Sequence, residues 1–322
     1  MIKLQGSSNE NFVVLGLGRS GMTSARALNS SGANVICWDD DPEKRSLASS
    51  QGLRVMGSVS DFDWESIDRL IISPGVPHHF PLPHPIVSAA VSAGVLIDND
   101  VGLFFQSIAT KSWDKFSVRP RIVAVTGSNG KSTTASLLHH IFLKRGYKSQ
   151  LAGNIGRGVL DIDPPENNEL IVLELSSYQI EVARILSPDL AIFTNFSADH
   201  LERHGGIGGY LAAKRRLFTE GCPDYSIIGV DELAGLNLAQ QLSASIGDES
   251  IIRVSATKQM RRFDWSIFLD AGYLVEHRKG KQINSTDLKV FDNFVGPHSY
   301  QNAASAYAAC RALGMSPRKI VE

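Results

Sequence analysis

The feature that most restricts the fold lies between residues 122 and 145. A short apolar strand, Ile122 to Val125, runs through Thr126-Gly127-Ser128-Asn129-Gly130-Lys131-Ser132-Thr133 into a helix expected over Lys131 to Arg145. A buried strand must stop abruptly, two glycines must let the backbone turn its amides inward, and a helix must begin on the lysine. A loop built this way cradles phosphate. Its amides face the anion, Lys131 brings positive charge to the β and γ phosphates, and the Ser132 hydroxyl can ligate Mg²⁺. The common form, GxxxxGK[ST], has its first glycine where this chain has Val125, so a loop starting at Gly127 marks a narrower group. A merely solvated helix start would leave two glycines, a lysine and three hydroxyls after a buried strand without purpose.

A second glycine loop opens the chain. Gly16-Leu17-Gly18-Arg19-Ser20-Gly21 follows the apolar run Asn11 to Leu17 and leads into a helix over Ser20 to Ser30, with Asp39 at the end of the next strand, Asn34 to Trp38. Strand, glycine turn, helix and strand predict the opening of a parallel βαβ sheet with an anion site at the helix N-terminus. By itself the pattern also fits NAD or FAD, or a tight turn with no ligand. Further strands are expected over Arg69 to Ile72, ending at Ser73-Pro74-Gly75, and over Val95 to Ile97, with a helix over Pro85 to Ala93 between them.

The periodicity lapses into a polar stretch around Thr110 to Lys115 before the strand Arg121 to Val125 begins. The expected organisation is therefore α/β throughout: a Rossmann-like parallel-sheet domain over residues 1–112, then a P-loop-type ATPase domain over residues 113–322. Strands at Leu170 to Leu175, Leu190 to Thr194 and Ser226 to Val230, helices at Tyr210 to Thr219 and Tyr300 to Leu313, and a hairpin over Phe263 to Lys281 fill the second unit. A chain of 322 residues, 43% hydrophobic and 20% charged, supports two such cores.

With 32 basic and 33 acidic residues, the net charge of -1 provides no general field for nucleic acid or an anionic membrane, so anion binding must be local. Cys37, Cys222 and Cys310 are odd in number and widely spaced, which suggests neither a disulfide framework nor zinc and fits a reducing cytoplasm. No signal peptide or bilayer-length apolar run is apparent, predicting neither export nor membrane insertion.

Two segments follow strands at the same expected sheet edge. Glu174-Leu175-Ser176-Ser177-Tyr178-Gln179 sets a carboxylate where ligands collect, making Glu174 a candidate Mg²⁺ ligand. Thr194 to Gly206 gathers Asp199, His200, Glu202, Arg203 and His204. A histidine is ordinarily structural, but here the sheet edge shared with the phosphate loop favours ligation or substrate binding by His200; His204 carries no assignment.

TGSNGKSTT, AGNIG, ELSSYQ and TNFSADHLERHGG with YLAAKRRLF resemble, in order and spacing, the motifs of the Mur ligases, and ELSSYQ points to the branch that adds D-glutamate. The resemblance covers nearly the whole chain. It implies an ATP-dependent ligase of cell-wall peptidoglycan precursor synthesis, joining D-glutamate to UDP-N-acetylmuramoyl-L-alanine through an acyl phosphate, and leads to the expectation of a cytoplasmic monomer. By that resemblance Gly16, Leu17, Gly18, Arg19, Ser20, Gly21, Asp39, Asp40, Ser73, Asn154 and Ser176 bind the UDP-substrate, displacing NAD as the ligand of the first loop. Gly127 to Thr133 and Asn302 bind ATP. Lys131, Glu174, His200 and Lys214 are catalytic, and Ser132, Glu174, His200 and a carbamoylated Lys214 hold Mg²⁺, two ions in all, with Asp199 orienting His200. Unmodified, Lys214 would default to a charge on the helix surface.

One departure is Gly296-Pro297-His298-Ser299-Tyr300-Gln301-Asn302, where the family usually has asparagine directly after the histidine. Asn302 remains, but Ser299 weakens the adenine contact. The resemblance also leads to the expectation that the family's C-terminal domain is absent from this chain, which would impair closure and amine positioning. Alternatives are a non-catalytic module binding UDP-sugar and ATP, another Mur-type amino acid ligase, and a dinucleotide-dependent oxidoreductase. Phosphate release, ligation with candidate amino acids, and NAD⁺ against UDP binding distinguish them.

Overall fold

The structure, a computed structural model, describes residues 1–109, 114–199, 201–291 and 296–321. Two sheets organise it. The first contains β1 (Asn11–Leu15), β2 (Asn34–Trp38), β3 (Arg54–Val55), β4 (Arg69–Ile72) and β5 (Leu96–Asp98), all parallel in the order β3-β2-β1-β4-β5. Its helices are α1 (Arg19–Ser30), α2 (Pro42–Ser50), α3 (Pro85–Ser92) and α4 (Asp100–Ala109). Because β1 lies between β2 and β4, the order reverses at its carboxyl end, where a doubly wound sheet opens a crevice. The first glycine loop is at that end.

The second sheet is built from β6 (Arg121–Thr126), β7 (Ser149–Gly153), β8 (Leu170–Glu174), β9 (Leu190–Phe193), β10 (Tyr225–Gly229), β11 (Ile251–Ser255), β12 (Trp265–Asp270), β13 (Tyr273–Arg278) and β14 (Lys281–Asp287). Its order is β14-β13-β12-β11-β10-β9-β6-β8-β7. Strands β6 to β12 run parallel, and β13 and β14 continue the sheet antiparallel. The expected hairpin is therefore the first half of a three-stranded antiparallel edge. Around the sheet lie α5 (Lys131–Lys144), α6 (Ser177–Val182), α7 (Ile207–Thr219), α8 (Leu233–Ile246), α9 (Pro297–Ala312) and α10 (Pro317–Val321). The central strands have no exposed face: all residues of β8, β9 and β11 are buried, as expected of parallel strands covered by helices on both sides.

Here too the strand order reverses, at β6, which has β8 on one side and β9 on the other although α5 leads from it to the edge strand β7. The phosphate loop, Glu174 and the Thr194 segment leave the carboxyl ends of these three adjacent strands. Parallel pairing aligns Val125 with Glu174 and Thr126 with Phe193, so three distant segments reach one edge.

The expected boundary between residues 112 and 113 lies outside the described residues. Across the seam between the sheets, Ile2 N donates to Leu160 O at 3.1 Å, Asn99 Nδ2 to Gln179 O at 2.7 Å, and Arg184 N to Asp98 Oδ1 at 3.1 Å. Among the described residues no helix is long and apolar enough to cross a membrane.

Candidate active site

The loop from Gly127 to Lys131 is held in shape by its own glycines and by Thr194 and Asn195. Gly127 and Gly130 have φ of 141° and 77°, values that other residues rarely adopt. A Cβ on Gly127 would meet Thr194 Oγ1 at 2.0 Å, and one on Gly130 would meet Asn302 Oδ1 at 2.2 Å. Both glycines are thus required by conformation and by space. Asn195 clasps the loop tip, accepting from Asn129 N at 2.9 Å and donating to Asn129 O at 3.1 Å; Thr194 Oγ1 donates to the same carbonyl at 2.7 Å. The sequence motif contained both residues but gave neither a role.

Lys131 Nζ donates to Ser128 O at 2.7 Å, folded over its own loop. Burial pushes its pKa below the ordinary lysine value, while Glu174 and Asp199 oppose the shift. Ser132 Oγ donates to Glu174 Oε2 at 2.9 Å, which brings the two expected metal ligands together. A hydroxyl and a carboxylate are hard oxygen donors suited to Mg²⁺, which characteristically takes few protein ligands and fills its octahedron with water and phosphate. No group of three His, Cys, Asp or Glu side chains forms a metal cluster among the described residues. His200 lies outside the described residues.

Lys214 reverses the default expectation for a lysine. On α7 it is 1% exposed, with Nζ donating to Gly127 O at 2.8 Å and lying 4.5 Å from the centre of the Tyr210 ring. Burial, with a contribution from the positive charge of Lys131, pushes its pKa down to about 7 against a partial counter-effect from Asp199. Tyr210 OH is 3.1 Å from Ser128 Oγ, tying α7 to the phosphate loop.

The first glycine loop is held as tightly. Gly16 has φ 87°, and a Cβ on Gly21 would collide with Gly16 O at 1.7 Å. Ser73 Oγ donates to Gly16 O at 2.7 Å, while Asp39, itself nearly buried, accepts from Leu17 N at 2.6 Å and Asp41 N at 2.9 Å. These two residues therefore brace the loop. Asp40 accepts from Trp38 Nε1 at 3.1 Å and lies 3.0 Å from His84 Nε2. Arg19 reaches across the seam: Nη2 donates to Gly153 O at 3.0 Å and Asn154 O at 2.9 Å. Asn154 N in turn donates to Glu174 O at 3.0 Å, so the AGNIG turn links the two loops. Ser176 caps α6, accepting from Gln179 N at 3.2 Å, and Asn302, 7% exposed, packs beside Gly130. Ser299 is half-buried one helical turn earlier.

Two tightly held glycine loops at the carboxyl edges of two parallel-stranded sheets, with a hydroxyl–carboxylate pair beside one of them, put the chain in the α/β class whose folds handle nucleotides. The chain belongs to the Mur ligase family: residues 125–310 match the Mur ligase middle domain, and residues 10–98 match the Mur ligase MurD-like N-terminal domain. It is 54% identical over 320 residues to the UDP-N-acetylmuramoylalanine--D-glutamate ligase of Cereibacter sphaeroides (strain KD131 / KCTC 12085), covering 99% of this chain and 69% of that protein. The enzyme of the same name from Ruegeria pomeroyi gives the same identity and coverage. Among solved structures, the UDP-N-acetylmuramate:L-alanyl-gamma-D-glutamyl-meso-diaminopimelate ligase from Neisseria meningitides superposes with a TM-score of 0.59 at 16% identity. That match covers 97% of this chain and 96% of the other, and supports the fold.

Proposed function

We propose that this chain serves the ATP-dependent joining of D-glutamate to UDP-N-acetylmuramoyl-L-alanine, a step of peptidoglycan precursor synthesis. The name of the relatives at 54% identity supports the reaction, and the observation carrying its chemistry is the Ser132–Glu174 pair beside Lys131 at the reversal of the second sheet. The division at residues 112 and 113 separates the UDP-substrate unit from the ATP unit.

In this reading an oxygen of the alanyl carboxylate attacks the γ-phosphorus of ATP. The bond from that phosphorus to the β–γ bridging oxygen breaks, and ADP leaves. The amine of D-glutamate then attacks the acyl carbon, a C–N bond forms, phosphate departs with the C–O bond electrons, and the nitrogen loses a proton. Amides of Gly127 to Thr133 cradle the triphosphate, and Lys131 swings from Ser128 O to offset charge on its terminal oxygens. Ser132 and Glu174, with His200 and Lys214, would hold Mg²⁺, which supplies further neutralisation of the phosphates. Asn302 supports the nucleotide side of the loop.

Gly16 to Gly21 receive the diphosphate of the UDP-substrate, with Ser73 and Asp39 fixing the turn and Asp40 beside the nucleoside. Asn154 and Ser176 receive its far end. Lys214 becomes a metal-organising group only as a carbamate, and its environment favours that conversion: a neutral amine is the nucleophile towards CO₂, and the resulting anion would be attracted by Lys131 rather than repelled. The test is ADP release measured with ATP and UDP-N-acetylmuramoyl-L-alanine, with and without D-glutamate, alongside calorimetric binding of each nucleotide. Failure of both nucleotides to bind overturns the reading.

A further inference from the structure

Away from the groups assigned to phosphate and metal, a chain of polar contacts crosses from one unit to the other. His78, in the loop after β4, has Nε2 at 3.4 Å from Glu181 Oε2 on α6. The same carboxylate oxygen lies 2.9 Å from His204 Nδ1. On the opposite side of that ring, His204 Nε2 is 2.9 Å from Ser177 Oγ, at the start of α6. The His204 side chain has no exposed surface, and Ser177 is 3% exposed.

Aromatic neighbours lie against the ring as well. Tyr178 stacks on it at 5.0 Å with planes 7° apart, and Tyr210 lies 5.2 Å away on a tilted plane. Tyr210 OH then reaches Ser128 of the phosphate loop at 3.1 Å. Flanking contacts fasten the same two loops: Arg203 donates to Gly75 O at 3.2 Å and Val76 O at 3.0 Å, with its guanidinium 4.9 Å from the Tyr178 ring centre. A side chain on Gly205 would strike the Phe80 ring at 2.7 Å.

Serine, histidine and carboxylate occur here in the atom order of a nucleophilic triad, but the burial of Ser177 withholds its oxygen from any substrate. The contacts instead fix positions. Ser177 adjoins Ser176 and follows Glu174 by three residues, so whatever sets Ser177 also sets the segment between the metal-side carboxylate and the far end of the substrate. We propose that His78, Glu181, His204 and Ser177 form a positioning relay that registers the UDP-substrate unit against the ATP unit, so that one extended substrate contacts both.

This rests on the functional reading above, in which the uridine end sits on the first unit and the acylated end reaches the second. The two ends give separate readouts. UDP contacts the first unit alone, whereas UDP-N-acetylmuramoyl-L-alanine spans the seam. Calorimetry is done with each of these ligands and with a non-hydrolysable ATP analogue plus Mg²⁺. The proteins are the unmodified protein, His78→Ala, His204→Phe and the double variant. Phenylalanine keeps a flat ring between Tyr178 and Tyr210 but removes both nitrogens; His78→Ala changes a loop residue and leaves the buried ring untouched.

Each single variant is expected to weaken the spanning substrate by about ten-fold, with UDP and the ATP analogue within about two-fold of the unmodified protein. The double variant should be no weaker than the worse single, because both substitutions interrupt one relay. Equal weakening of UDP and the spanning substrate, an unchanged spanning substrate, or additive losses would each overturn the relay. Should His204→Phe fail to fold, the selectivity of His78→Ala decides. An unmodified protein that binds neither UDP nor the spanning substrate instead overturns the functional reading itself.

Discussion

Lys214 provides a direct test of how burial prepares this site. An ordinary lysine near 10.5 keeps about one amine in 3,000 neutral at pH 7, whereas a pKa of about 7 leaves about half neutral. That thousand-fold enrichment is what addition to CO₂ requires, since only the neutral amine attacks. The perturbation is Lys214→Arg, which retains a cation that does not form a lysine carbamate. Protein exchanged into ¹³C-labelled bicarbonate at fixed dissolved CO₂ should give one carbamate resonance that grows as pH rises through about 7 and is missing from the variant.

The same shift makes a stability prediction of definite sign. Between about pH 7 and 10.5 the unfolded chain holds the Lys214 proton while the folded chain does not, so stability rises with pH across that window. The full shift corresponds to on the order of 5 kcal/mol, an upper bound, and Lys214→Met should flatten the slope. A carbamate resonance that persists in Lys214→Arg, or a pH slope unchanged in Lys214→Met, would refute this account of the buried amine.

Replacing Lys131 with alanine should lower ADP release by about 100-fold or more by removing the charge opposite the triphosphate, measured in the assay above. Gly130→Ala should lower folding stability by roughly 1–3 kcal/mol in denaturant titration, because φ is 77° and the new methyl meets Asn302 at 2.2 Å. Arg19→Ala, which loses three donations to the AGNIG turn, should weaken the UDP-substrate about ten-fold in calorimetry. Burial would raise the pKa of Glu181, but His204 and His78 outweigh it and hold the carboxyl at about 2. Its stabilisation is therefore present above about pH 4.5 and lost as pH falls towards 2; acid unfolding followed by circular dichroism should be less pH-dependent in Glu181→Gln.

Sequence alone determined what is local and contiguous. The phosphate loop was legible because its glycines, lysine and hydroxyls must follow one another between a strand and a helix, and the apolar runs identified most parallel strands. Ser132 and Glu174 could be named from their segments because each closes or follows a strand whose end is predictable. Several elements escaped: β7, Ser149–Gly153, has only two buried residues, and α2 is largely polar. Their periodicity is too weak to stand out, and pairing with neighbours supplies what their own sequence does not.

Tertiary structure alone decided which segments meet. A lysine at helical spacing reads as solvated, yet α7 turns Lys214 against Gly127 in a buried position, 1% exposed, and only that placement brings its pKa near 7. His204 had no assignable role because its partners come from α6 and, through Glu181, from the loop after β4 more than a hundred residues away. The physical reason is range: steric and hydrogen-bonding preferences act over a few residues of chain, whereas burial and charge depend on whichever distant groups packing brings within a few ångströms.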